Sequence, residues 1–404
     1  MTGILAGLRI VEGSAFIAAP LGGMALAQLG ADVIRFDDIK GGLDNDRWPI
    51  TKEGRSIYWA GLNKGKRSIA VDLRSPKGRE LLAALITAPG EGAGIFTTNM
   101  PARGWLAYEE LSKKRADLIA LNIVGDRHGT ANVDYTINAI TGFPMVTGPV
   151  GHDGPVNAVA PPWDLATGYA GAMAILAAER HRRMTGQGQR IVLPLQDMAL
   201  SVTSALGYLG EAVVNDVDRP RYGNEIFGTF GRDFRTSDGR FVMICIFSDS
   251  HVDALATAGG FATAFEKIEA ETGVDLKSDA GRWNARAQLC AVIEPWVAAH
   301  TAADVGAALK KAGALWAPYQ TFRELATDKD AVQDNPLFTV LDQPGIGRYP
   351  VAGSPLQFGA VARQPPVGAP TLGQHTDEIL SAILGLPAHE IARLHDEKVV
   401  GGPR

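Results

Sequence analysis

The sequence predicts an α/β protein, a parallel sheet with helices on both faces and a smaller second domain. Three observations carry this. Over the first two hundred residues, short apolar runs alternate with amphipathic stretches in the order β-α-β-α-β, which feeds a parallel sheet through crossover helices. Near residue 200 the character changes to a loop-rich stretch and then to a helical block. At 404 residues the chain is too long for one ordinary domain.

Leu8 to Val11 reads as the first strand. Ala18 to Leu29 follows as a helix closed by Gly30, and Asp32 to Phe36 is a second strand. Lys77 to Thr87 is helical. Ala93 to Thr97 and Leu118 to Val124 are further strands. Leu165 to Met184 is a long helix with a stripe of small residues (Ala170, Ala174, Ala177, Ala178), stopped at Gly186 or Gly188, and Gln189 to Leu193 is the next strand. Asp238-Gly239 marks a hairpin turn, and helices run from about Val252 to Lys310. The last seventy residues are rich in Pro and Gly and end in a short helix near Asp377 to Leu384. The expected division is residues 1–200 for a large domain, 225–317 for a small domain and 335–404 for a return segment completing the large one, with linkers at 201–224 and 318–334.

Composition removes several classes of function. Hydrophobic residues make up 46% and charged residues 21%, as in a globular protein. The net charge of −5 argues against a nucleic-acid binder. No window approaches eighteen uninterrupted apolar residues and the N-terminus has no signal-peptide pattern, so the expectation is a cytoplasmic protein with no membrane span. Cys245 and Cys290 lack metal-ligand spacing and are expected to fill core volume. The eight histidines show no HExxH pairing, so no metal is expected. GxGxxG after the first strand, a GxxxxGK[ST] loop and a GxSxG elbow are all missing, which disfavours dinucleotide, nucleotide-triphosphate and serine-hydrolase chemistry.

Two features carry candidate chemistry. Asp164 stands in Pro161-Pro162-Trp163-Asp164, at the start of the long helix. There it reads as an N-cap, as a carboxylate nucleophile, or as both. Arg35, Lys40, Lys64, Lys66 and Arg67 lie between early strands, where they read either as a solvated face or as a phosphate-binding set.

Several segments together resemble CoA-transferase family III: GLRIVEG…AAPLGGMALAQLGADVIRF (7–36), NKGKRSIAVDL (63–73), WDLATGYAGAMAILAAERHRRMTGQGQ (163–189) and LGQHTDEIL (372–380). The resemblance implies a Rossmann-like large domain built from both chain ends, a small domain inserted between them, and an interlocked homodimer. It makes Asp164, which precedes Thr167-Gly168, the catalytic aspartate. It places Phe16, Ala18, Leu62, Asn99 and Met100 beside CoA, with Lys66, Arg67 and Arg103 as candidates for the CoA phosphates. Backbone N–H groups near Leu165 and Ala166 are expected as oxyanion donors, and Arg221 or Arg232 as the cation for a free substrate carboxylate.

The family also contains racemases, which carry a Gly-His-Asp motif; here the stretch is Asn132-Val133-Asp134, and Val133 cannot move a proton. Formyl-type members carry a glycine run that this chain replaces with GNEIFGTFGRDF (223–234). A closer likeness within the family, in FTTNMPARGWL, WAPYQTFRE and QPGIGRYPVAGSPLQF, implies CoA transfer within one molecule of mesaconyl-CoA, from carbon 1 to carbon 4, through an aspartyl-CoA thioester. It also implies a place in the 3-hydroxypropionate cycle. The alternative is intermolecular transfer from a dicarboxylyl-CoA donor to a carboxylic acid. In both cases CoA arrives as part of the substrate and no separate cofactor is expected.

Overall fold

A computed structural model describes residues 3–403. The chain forms two compact units. One comprises residues 3–141, 158–211 and 328–403; the other comprises Gly142–Asn157 and Ala212–Thr327.

The large unit begins with β1 (Arg9–Gly13), α1 (Ala18–Gln28), β2 (Asp32–Asp37), α2 (Ile57–Leu62), β3 (Arg67–Val71), α3 (Pro76–Thr87), β4 (Ile95–Thr98), α4 (Tyr108–Ser112), β5 (Ile119–Val124) and α5 (Asp134–Ile140). After α6 (Phe143–Val146), which belongs to the other unit, come α7 (Pro162–Thr185), β6 (Gln189–Pro194), α8 (Leu195–Ala205) and α9 (Tyr208–Asn215), whose residues from Ala212 on belong to the other unit. The second unit then contributes β7 (Phe230–Arg235), β8 (Phe241–Ile246), α10 (Asp249–Gly259), α11 (Ala262–Thr272), α12 (Asp279–Asn284), α13 (Arg286–Ala299), α14 (Ala302–Ala312), β9 (Leu315–Pro318) and α15 (Phe322–Thr327). The chain returns through β10 (Phe338–Gln343), β11 (Gly347–Ala352), α16 (Thr376–Ala382), α17 (Ala388–Asp396) and β12 (Val400–Gly401).

The large sheet runs β12-β3-β2-β1-β4-β5-β6, parallel throughout except for β12, which pairs antiparallel with β3. Its strands alternate their apolar side chains between two cores, as a sheet buried on both faces must. Ile10, Val33, Ile95 and Ile119 pack with Ala18, Leu26 and Ile175 of α1 and α7. Val11, Ile34, Phe36 and Phe96 pack with Leu82, Leu85, Ile379 and Leu394 of α3, α16 and α17. Residues near both ends of the chain therefore share one core, and the Pro- and Gly-rich return segment supplies a hairpin, two helices and an edge strand.

The second unit is a three-stranded antiparallel sheet, β7-β8-β9, packed against the helical block. Asp238-Gly239 turns its first hairpin, with the Thr236 N–H bonded to the Arg240 carbonyl. Residues 142–157, expected in the large domain, cluster with this unit instead. The physical reason is Arg221. Its guanidinium donates to the carbonyls of Pro144, His152 and Gly154 and fastens the excursion in place. Both cysteines are free thiols; Cys290 is buried in this unit's core, while Cys245 is only half-buried.

Candidate active site

The site is built where α7 begins against α1. Two glycines set the distance between these helices: a Cβ on Gly22 would lie 2.8 Å from the Gly168 carbonyl oxygen, and one on Gly168 would lie 2.8 Å from that of Ala18. The helices close to backbone contact, which brings the first turn of α7 beside the loop after β1.

The start of α7 is capped from outside. Asp134, the first residue of α5, accepts the Trp163 and Asp164 N–H groups on one oxygen, Oδ2, at 2.7 and 2.9 Å. Asn138 receives the Trp163 indole N–H at 3.0 Å and locks the pair of helices. Asp164 itself sits in the third helical position and makes no capping bond, so the N-cap role expected from its sequence position falls to a carboxylate thirty residues away. The Leu165 N–H bonds the Pro161 carbonyl, and Ala166 lies a full turn inside the helix. The oxyanion donors expected near Leu165 and Ala166 are thus already spent on the helix's own carbonyls, and the external cap takes the Trp163 and Asp164 N–H groups before them.

Asp164 has no structural bond to make, and its environment raises its pKa to about 7. Burial dominates, the Asp134 charge adds to it, and Arg47 opposes both. Burial raises the Asp134 carboxyl as well, against its two N–H bonds, and its Oδ1 is buried without a partner. Two carboxylates sharing one apolar corner is an arrangement typical of a reactive group. Removing the Asp134 charge while keeping an acceptor, as in Asp134→Asn, is expected to move the acid limb of the kcat/KM–pH profile to lower pH. An unchanged limb would mean that burial alone sets Asp164.

Close enough for its charges to act on Asp164 is a cluster in which the sequence singled out Phe16 and Asn99 and missed Asp44, Arg47 and Tyr58. Phe16 has a left-handed backbone, φ +66°, which costs a non-glycine residue about 1–3 kcal/mol and persists only where its surroundings enforce it. Here the Phe16 N–H donates to Asp44 Oδ2 at 3.0 Å, and Asn99 clamps Ala15 through both its N–H and its carbonyl, at 2.9 and 2.7 Å. The Arg47 guanidinium lies 5.2 Å from the Phe16 ring centroid and 5.5 Å from that of Tyr58. The Tyr58 hydroxyl is buried, and burial pushes its pKa up to about 12.

Within the basic run between the early strands, Arg35, Lys66 and Arg67 prove to be scaffold, while Lys40 is exposed and Lys64 half-buried. The Lys66 ammonium is fully buried and spends its three donors on Glu12 Oε1 (2.7 Å), the Pro20 carbonyl (2.8 Å) and Asn63 Oδ1 (2.9 Å). Asn63 Oδ1 also accepts from Arg35, whose guanidinium is paired with Asp37 and Asp44. Asp44 holds Phe16, so one buried network runs from Glu12 to the strained turn. Arg67 is paired with Asp32 and Glu378. Lys66 and Arg67 are therefore corrected as phosphate ligands, because their charges are neutralised within the fold. Arg103 is exposed after β4, with no ion pair among the described residues. Asn99 and Met100 follow the tip of β4, Ala18 is buried at the start of α1, and Leu62 is half-buried at the end of α2.

Arg221 and Arg232 belong to the second unit. Arg221 is committed to three carbonyls, which corrects its expected role at a substrate carboxylate. Arg232 bonds the Asp233 carbonyl and Cys290 Sγ. Among the described residues no group of three or more His, Cys, Asp or Glu side chains is placed to hold a metal, and no helix is long and apolar enough to cross a membrane.

The sequence model of CoA-transferase family III matches residues 5–376. A 2-methylfumaryl-CoA isomerase of Chloroflexus aurantiacus is 54% identical over all of this chain and 99% of its own length. A succinyl-CoA:mesaconate CoA-transferase of Haloarcula hispanica is 29% identical over 94% of this chain and 96% of its own. The crystal structure of a CAIB/BAIF family protein from Brucella suis superposes with a TM-score of 0.78 at 26% identity, covering 95% of this chain and all of that one.

Proposed function

We propose, on the premise that this chain belongs to CoA-transferase family III, that Asp164 is the nucleophile of an intramolecular CoA transfer. The enzyme is an isomerase that converts 2-methylfumaryl-CoA, thioesterified at carbon 1, into 3-methylfumaryl-CoA, thioesterified at carbon 4. The observation that carries the chemistry is the division of labour at α7: Asp134 does the capping, and Asp164 is left as a carboxylate with no structural bond beside a free cation.

In this mechanism the Asp164 carboxylate attacks the thioester carbonyl and expels CoA thiolate, forming a mixed anhydride. The thiolate attacks the aspartyl carbonyl, giving an aspartyl-CoA thioester and the free diacid. The diacid turns, its other carboxylate attacks the aspartyl thioester, and the released thiolate takes the new anhydride at carbon 4. Each step exchanges acyl groups of similar energy, which is what covalent catalysis requires. Only ionised Asp164 attacks, so activity rises with pH through about 7.

CoA, carried in with the substrate, is the only cofactor the mechanism needs. Phe16, Ala18, Leu62, Asn99 and Met100 remain the proposed CoA contacts, most of them at the carboxyl ends of the parallel strands where α/β sheets bind ligands. Arg103 remains the proposed phosphate cation. We place the enzyme in the cytoplasm, with two unpaired thiols as a reducing compartment leaves them; the substrate pair suggests the 3-hydroxypropionate cycle.

The working form in this proposal is a homodimer. Val213 and Val214, in the second unit's part of α9, are more than 80% exposed, an apolar surface that calls for a partner. A monomer by sedimentation would refute this.

The deciding assay supplies 2-methylfumaryl-CoA with isotopically labelled free mesaconate. Product carrying no label is expected. Label entering freely would instead make the enzyme an intermolecular transferase, the class to which the Haloarcula relative's name assigns that protein.

A further inference from the structure

A diacid esterified at one end carries a carboxylate at the other. A site that turns such a molecule over needs a cation that can hold the carboxylate and let it go. The buried and half-buried arginines Arg9, Arg35, Arg67, Arg115 and Arg182 and the buried Lys66 are already engaged. Lys66, Arg35 and Arg67 are paired in the network described above. Arg115 and Arg182 are spent on Asp117 and backbone carbonyls, and Arg9 on the carbonyls of Ala88 and Pro89.

Arg47 is different. Like Arg103 it has no carboxylate partner among the described residues, but it alone is the cation whose charge bears on Asp164. Its guanidinium lies near the Phe16 and Tyr58 rings and interacts with the Tyr58 hydroxyl, and no carboxylate takes up its N–H groups among the described residues, so they can turn to a planar anion. The Tyr58 hydroxyl beside it is buried and has no acceptor for its proton among the described residues. The turn that presents Phe16 is strained and fixed by Asp44, three residues before Arg47, so the buried network also positions this cation.

We infer that Arg47, with the Tyr58 hydroxyl, binds the non-esterified carboxylate of the substrate and thereby restricts the enzyme to dicarboxylyl-CoA esters. This rests on the aspartyl-thioester reading above. During transfer the carboxylate at Arg47 and the one at Asp164 exchange places, and a guanidinium that meets either end in the same way makes the turn nearly symmetric. A guanidinium also fits a carboxylate at two points, where an ammonium meets it at one.

The test separates the two halves of the claim. Two thioesters are compared: 2-methylfumaryl-CoA, and 2-methylcrotonyl-CoA, in which a methyl group replaces the free carboxylate. The readouts are isomerisation of the first and the rate of CoA transfer onto Asp164 from each, followed by borohydride trapping and peptide mass spectrometry.

Arg47→Met is expected to cut kcat/KM for 2-methylfumaryl-CoA by about a hundredfold or more, the scale on which a site punishes a lost polar partner. Compared at pH 9, where Asp164 is ionised with or without the Arg47 charge, it should leave Asp164 labelling from 2-methylcrotonyl-CoA, slow as that is in wild type, within about threefold of the wild-type rate, which also shows that the variant is folded. Arg47→Lys should fall between the two, mostly through KM. Equal loss on both thioesters would overturn the inference and make Arg47 a general support of Asp164. No loss on either would overturn it outright. If wild type isomerises 2-methylfumaryl-CoA but no CoA is ever trapped on Asp164, the aspartyl-thioester reading fails first, and the carboxylate subsite loses its basis.

Discussion

Asp164→Asn is expected to lower turnover of 2-methylfumaryl-CoA by at least about a thousandfold, because it removes the atom that forms both covalent intermediates. The same change is expected to make the protein more stable at neutral pH. The sign follows from the raised pKa. The folded protein keeps the Asp164 proton up to about pH 7, while an unfolded chain releases it near pH 4. Across that window the native state binds more protons, so stability falls as pH rises. A neutral asparagine escapes this loss. Allowing for the residue's partial exposure, the gain is roughly 1–3 kcal/mol at pH 8, vanishing towards pH 4. Urea unfolding of both proteins at pH 4.5 and pH 8 measures it. Equal stability at both values would show that the site stores no electrostatic strain. Full activity in the variant would remove Asp164 from the mechanism.

Lys66→Met is the second large effect, and it separates scaffold from ligand binding. The Lys66–Glu12 pair is completely buried, and Glu12 Oε2 already lacks a partner. Deleting the ammonium leaves a buried carboxylate with nothing but the Ser14 hydroxyl, at a cost of about 3–5 kcal/mol. That is a large share of the stability of an ordinary domain. A double variant, Lys66→Met with Glu12→Met, should recover most of the loss, since the penalty comes from the orphaned charge rather than from the missing bond. Denaturant midpoints for the single and double variants decide it. A single variant that is as stable as wild type but binds CoA weakly would restore the phosphate role that the burial of Lys66 excludes.

The consequence for the site is indirect. Lys66, Asn63, Arg35 and Asp44 form one chain of bonds that ends on the Phe16 N–H. Charges that look like a phosphate patch in one dimension form the floor under Phe16 and Arg47 in three. Had Lys66 and Arg35 been solvent-facing, as a short basic run usually is, Asp44 would lose the guanidinium behind it and the left-handed turn at Phe16 would rest chiefly on the Asn99 clamp.

The sequence by itself determined the strands β1, β2, β4, β5 and β6, the long helix α7, the hairpin at Asp238-Gly239 and the position of Asp164, but not the order of the strands in the sheet. Period and turn chemistry are local signals, and the crossover rule turns them into a parallel sheet. The family signature in residues 163–189 marked Asp164 because its neighbours in the chain are also its neighbours in the helix. What Asp164 is free to do was decided by tertiary structure. Its capping duty passes to Asp134, which reaches it only because α5 docks on α7, and no local pattern announces a cap thirty residues upstream. Whether a lysine meets solvent, a phosphate or a buried glutamate depends on which strand lies beside it, and so Lys66 and Arg67 were misread while Arg47 was passed over. The sequence fixes which charges are present, whereas burial and pairing decide which remain available to a ligand, and those arise only when distant segments pack.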